Sequence, residues 1–263
     1  MKRMLFMSII LVIGQMNFAQ TNVSAMDYYA EGHMQLQNGN LNAAFKNFKI
    51  AADMGLKEAM YDLACCYESG EGTSVDFNQA QKYYYKAATG NEPHSPAFTA
   101  LGRLYLLGKG VEQNTKEAIT WWKRGAETFP NDRNLMGGAE CMYNLGLTYN
   151  NGIYVPQDFT QAIHWYRKAA NLGLPVAAQA LGKRYLLGQG VEKNETKAMK
   201  WFRIAAEADT EECAVSQFIL GMFYLEGTEN TPIDKKQALI WFKKAANHGY
   251  TDAYIMIIKL EEK

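Results

Sequence analysis

One six-residue pattern returns at near-regular intervals along the chain, and this periodicity limits the possible folds more than any other feature. Trp165-Tyr166-Arg167-Lys168-Ala169-Ala170 is echoed by Trp201-Phe202-Arg203-Ile204-Ala205-Ala206 and by Trp241-Phe242-Lys243-Lys244-Ala245-Ala246. Looser copies are Tyr83-Tyr84-Tyr85-Lys86-Ala87-Ala88 and Trp121-Trp122-Lys123-Arg124-Gly125-Ala126. A second block lies upstream of each. Ala97-x3-Leu101-Gly102-x2-Tyr105-x2-Gly108 matches Ala177-x3-Leu181-Gly182-x2-Tyr185-x2-Gly188, and it recurs around Leu145-Gly146 and Leu220-Gly221. An earlier copy, with Leu63 and Tyr67, has Ala64 in place of the glycine. Successive leucines stand 38, 44, 36 and 39 residues apart. Such a period marks a solenoid, whose units cannot bury their cores alone.

Both blocks have helical spacing. Leu181, Tyr185 and Gly188 fall at i, i+4 and i+7, and Ala198, Trp201, Phe202 and Ala205 at i, i+3, i+4 and i+7. Each unit therefore reads as two antiparallel helices, A then B, and the fold as all-α. Gly182 and Ala205 remove side chains where the axes must approach. Leu181, Tyr185 and Trp201 fill the space between them, and the recurring Trp121, Trp165, Trp201 and Trp241 are expected in the core. Gly188 and Gly190 end helix A, because glycine takes the left-handed conformation without a Cβ penalty. Asn194 to Thr196 supply an N-cap for helix B.

These residues resemble the Sel1-like repeat family, a relative of the tetratricopeptide repeats. Gly108-Lys109-Gly110-Val111 and Gly188-Gln189-Gly190-Val191 match that family's loop closely. The resemblance implies a right-handed α-solenoid of antiparallel helix pairs, with helix A on the concave face. Residues 57–250 carry five such units, and residues 27–56 form a sixth, divergent one closer to a tetratricopeptide unit. Residues 251–263 read as a C-terminal capping helix, in which Ile258 stands where the glycine would be. The joins are uneven: between Ala126 and Cys141 an insertion around residues 129–138 either lengthens a helix or forms a loop.

The N-terminus has a different character. Lys2 and Arg3 precede an apolar run from Leu5 to Ile13, and Asn17-Phe18-Ala19 precedes Gln20. This is the layout of a secretory signal peptide over residues 1–19, followed by a short segment, 20–26. The apolar run is about half the ~20 residues a membrane span needs. The expected location is therefore periplasmic or secreted, with no membrane span after cleavage. The whole chain balances 27 basic against 27 acidic residues, and removing Lys2 and Arg3 leaves a slight acidic excess. That balance argues against a nucleic-acid partner.

Catalytic motifs are sparse. The four histidines lack metal-ligand spacing, no phosphate loop or nucleophile elbow occurs, and no cofactor or metal is expected. Cys65, Cys66, Cys141 and Cys213 survive cleavage; units two apart should not bring them within the ~7 Å a disulfide requires, which leaves a strained vicinal Cys65–Cys66 bond as the one alternative to free thiols. Cys141 reads as a core residue standing in for alanine. Positions that vary between units are more informative. Two residues before each leucine stand Tyr61, Thr99, Tyr143, Gln179 and Phe218; two after stand Cys65, Arg103, Leu147, Lys183 and Met222. These positions predict a groove with aromatic anchors and two cations, suited to a protein or peptide partner and to carboxylate or phosphate groups. By resemblance, family members act as adaptors and regulators. The competing readings are a cell-wall or β-lactam hydrolase, which would gain support if folding joined a histidine and an acid, and a passive envelope spacer.

Overall fold

The computed structural model describes residues 23–131, 137–152 and 154–262. The segment 1–19 read as a signal peptide falls outside these residues, as does the middle of the insertion. The described residues form thirteen α-helices, arranged as six antiparallel pairs and a last single helix. The A helices are α1 (Ala25–Gln37), α3 (Lys57–Ser69), α5 (Ser95–Leu107), α7 (Gly137–Asn151), α9 (Pro175–Leu187) and α11 (Ala214–Glu226). The B helices are α2 (Leu41–Asp53), α4 (Phe77–Ala88), α6 (Thr115–Thr128), α8 (Phe159–Asn171), α10 (Glu195–Ala206) and α12 (Lys235–Asn247), and α13 (Thr251–Glu261) closes the array. Each helix packs on the next in sequence, which makes the molecule an α-solenoid.

The recurring glycine of helix A has one clear job. A Cβ on Gly102 would lie 2.1 Å from Trp122 Nε1, and on Gly146 or Gly221 2.5 Å from the ring of Tyr166 or Phe242. Each glycine thus receives the second aromatic of its own helix B. Trp122, Tyr84, Tyr166, Phe202, Phe242 and Phe48 are all fully buried. The first aromatic of each pair packs against the same core, less deeply than the second. Trp121 is buried, but Trp165, Trp201 and Trp241 are only partly so. A cation one turn on covers three of these rings: Arg124 over Trp121, Lys168 over Trp165 and Lys244 over Trp241, at 4.4, 4.8 and 5.0 Å.

The A–B turns are built from two linked bonds. Asp76, Asn114, Asp158, Asn194 and Asp234 cap their B helices through the side chain. The backbone N–H of each cap also donates to the carbonyl of the repeat tyrosine on helix A: Tyr67, Tyr105, Tyr149, Tyr185 and Tyr224, at 2.8–2.9 Å. Gly70, Gly108, Gly152 and Gly188 end helix A in the left-handed conformation, as the sequence suggests.

The insertion is followed by a longer helix. Helix α7 has 15 residues where α5 and α9 have 13. Gly137 lets its first turn lie directly on α5: a Cβ there would meet Ser95 Oγ at 2.1 Å. At the far end of the array, Ile258 is 55% exposed on the outer side of α13, where no following helix B presses a ring against it.

Candidate functional site

Polar links join successive A helices along one face. His33 Nε2 lies 3.0 Å from Asp62 Oδ2, and Arg103 grips Glu68 with two hydrogen bonds of 2.5 and 2.7 Å. Thr99 Oγ1 sits 3.3 Å from Cys141 Sγ, Arg184 donates to Asn150 Oδ1 at 2.6 Å, and Ser216 donates to Gln179 at 2.9 Å. Among the described residues no hydrogen bond joins neighbouring B helices in this way. The A helices therefore share one linked face, with α5 packed directly on α7.

The predicted groove residues divide by what they touch. Thr99, Arg103 and Gln179 belong to the links just described. Arg103 is therefore a committed cation: its partner Glu68 also accepts from Tyr84 Oη at 2.9 Å, and the Arg103 bonds outweigh burial to hold the Glu68 carboxyl below its ordinary range. The aromatic anchors turn inward. Tyr61 packs against Tyr84 and His94, Tyr143 against Tyr166, and Phe218 against Phe242 and Tyr250, with centroids 4.8–5.7 Å apart. Met222 packs on the last core cluster. Leu147 and Lys183 alone open onto clefts.

Leu147 lines a cleft of about 530 Å³ between the C-terminal ends of α5 and α7. Ser95 and Gly137 meet at the N-terminal ends of these helices, and the cleft lies at the opposite ends. Leu106, Leu107 and Trp122 give it apolar walls, and Asn144, Thr148 and Asn151 line it with neutral polar groups. Tyr154 stands at its edge, 65% exposed and at φ 65°. It takes the place of the second glycine in Gly108-x-Gly110, a position that costs a bulky residue strain.

Lys183 lines a second cleft, of about 510 Å³, on the other side of the same end of α7. Beside it Arg184 is only 7% exposed. Sequence reading missed Arg184, although a signal was present: its register holds Cys66, Leu104, Thr148 and Phe223 in other units, so a cation there is anomalous.

Folding does bring a histidine and an acid together at His33 and Asp62, the circumstance that would favour a hydrolase. The geometry around them is that of a packed joint. His33 lies edge-on to Tyr29 and Phe48, and burial raises the Asp62 carboxyl despite the nearby histidines. The nearest thiol, Cys65, is raised by burial as well, which keeps it protonated. All four cysteines are free thiols, and the fully buried Cys141 has its pKa pushed up to about 12 by desolvation. Among the described residues no cluster of histidine, cysteine and acid could hold a metal ion, and no helix is long and apolar enough to cross a membrane.

A sequence model of the Sel1 repeat matches residues 17–56, 57–92, 97–127, 139–174, 175–209 and 214–250. The chain belongs to the Sel1 repeat family. The family model includes the first unit, which the sequence sets apart as divergent. Among solved structures, a Sel1 repeat protein from Oxalobacter formigenes is 30% identical, covers 86% of each chain and superposes with a TM-score of 0.71. Chitin synthase regulatory factor 2 of Schizosaccharomyces pombe is 27% identical over 85% of this chain and 44% of its own length. Chitin synthase regulator SKT5 of Saccharomyces cerevisiae is 28% identical over 78% of this chain and 34% of its own. This Sel1 repeat protein thus spans less than half the length of those curated relatives.

Proposed function

We propose that this Sel1 repeat protein is an exported, non-catalytic scaffold that holds a protein or peptide partner along its A-helix face. The observation that carries the reading is the cleft between α5 and α7. Its apolar walls suit a side-chain anchor, and Asn144 and Asn151 offer donors and acceptors to a peptide backbone. The names of the relatives point the same way, since a regulator of a synthase acts through contact. Export rests on the leader pattern of residues 1–19, and the envelope is the compartment that pattern favours. A hydrolytic role has the His33–Asp62 contact in its favour but lacks an activated nucleophile beside it.

The test is a peptide-display selection on the wild-type chain, with binding measured again on Leu147→Asp. Leu147 is partly exposed, so this variant should keep its unfolding midpoint while the selected peptides lose about tenfold or more in affinity, on the order of 1.4 kcal/mol. Peptides that bind both proteins equally would move the site off this cleft. Failure to select any peptide would favour the spacer. Export is checked separately by cell fractionation and N-terminal sequencing, which should find a mature chain beginning at Gln20.

A further inference from the structure

We infer that the cleft around Arg184 is a carboxylate-binding site, so that the scaffold's partner presents an acidic side chain or a C-terminal carboxylate there. This deepens the scaffold reading and rests on it. Arg184 is 93% withdrawn from solvent yet pairs with no carboxylate among the described residues. One guanidinium nitrogen donates to the neutral Asn150 Oδ1 at 2.6 Å, and the face of the group lies 5.3 Å from the Phe159 ring. Its Nε is buried and has no hydrogen-bond partner. A buried guanidinium left without a counter-charge is costly, and burial accordingly lowers its pKa. Such a group persists in a fold most readily where a ligand completes it.

The rest of the cleft fits that ligand. Lys183 stands at its edge, exposed and unpaired among the described residues, and Gln189 Oε1 is a second buried polar atom with no partner. The lining carries two cations and no acid, with carboxamides supplying the remaining polar groups. Arginine's planar fork pairs with a carboxylate through two parallel bonds; it can also pair with a phosphate, so phosphate is the competitor the experiment must separate.

The position also sets a spacing. Asn151 lines both this cleft and the apolar one, so the two flank the C-terminal end of α7. A helix with its side chains is about 10 Å across, and an extended peptide advances ~3.3 Å per residue. A partner lying across α7 would therefore place an apolar residue and an acid about three positions apart.

The experiment follows the Arg184 side-chain N–H resonance by NMR in the full ¹⁵N-labelled chain. The probes are the peptide acetyl-Leu-Ser-Ser-Asp-amide, its Asn counterpart and inorganic phosphate. The Asp peptide should give a saturable shift, the Asn peptide should bind about tenfold more weakly or not at all, and phosphate should not compete at equal concentration. Arg184→Lys, which keeps the charge and loses the fork, should abolish the preference for Asp. Lys183→Ala, a surface change that leaves the fold intact, should weaken the Asp peptide several-fold. Equal binding of the Asp and Asn peptides, or phosphate competing as well as the acid, would overturn the assignment, as would no shift with any probe. Because the display selection reads Leu147, a negative result here with that selection intact removes only the carboxylate site, whereas both failing would remove the scaffold.

Discussion

Where each A helix meets its own B helix, a ring rests on a glycine, and the space available differs from unit to unit. At Gly102 the Trp122 indole leaves no room for a Cβ, whereas at Gly182 the Phe202 ring stands back to 3.2 Å. Gly102→Ala should therefore destabilise by about 1–3 kcal/mol, and Gly182→Ala by clearly less, as read by chemical unfolding. Equal costs would mean that the rings do not set helix spacing. Arg184 makes the opposite prediction. Replacing an unpaired buried cation with an apolar residue of similar length removes a desolvation penalty, so Arg184→Met should leave stability unchanged or raise it. A loss of several kcal/mol would show that the guanidinium is structural. Asp62 adds a pH dependence. Burial raises its carboxyl, so the folded chain binds this proton more tightly than the unfolded chain does. Its contribution therefore falls as pH rises from the ordinary carboxylate range through the raised value. Asp62→Asn should flatten that part of the stability profile, while Glu68, whose carboxyl is lowered, contributes above its ordinary range and is lost on acidification.

The helix pair is the element at which most of the fold was legible. Its 3.6-residue periodicity, the glycine that ends helix A and the Asx cap of helix B all follow from local chemistry, and the helices lie where those signals put them. What periodicity could not give was direction around the helix. Two adjacent aromatics, such as Trp165 and Tyr166, differ by about 100°, and only the glycine on the facing helix decides which of them is buried. The groove was harder still. Arg103 looked like a free cation because Glu68, its partner, lies 35 residues away, in a different unit. The caps lead to a prediction at this scale. Asp158 bonds both the first turn of α8, through Gln161 N–H, and the Tyr149 carbonyl, through its own N–H. Asp158→Ala removes only the first bond and should cost about 1 kcal/mol, measured by urea unfolding. No measurable cost would make the cap dispensable.

Across the whole molecule, each unit touches mainly its neighbours, so regular packing from unit to unit holds the array together. The break falls at the insertion between α6 and α7. The start of α7 rests on α5 at Gly137, and one cleft lies on each side of the C-terminal end of α7. The glycine that Gly72, Gly110 and Gly190 supply in the following turn is replaced there by Tyr154, directly beside the apolar cleft. The most direct measurement of the scaffold account is photo-crosslinking in the native cell, with p-benzoylphenylalanine placed at the position of Leu147 or, as a control on helix B, at the exposed Lys123. The account predicts a discrete adduct from Leu147 that is missing from Lys123. The same adducts from both positions, or none from Leu147, would contradict it.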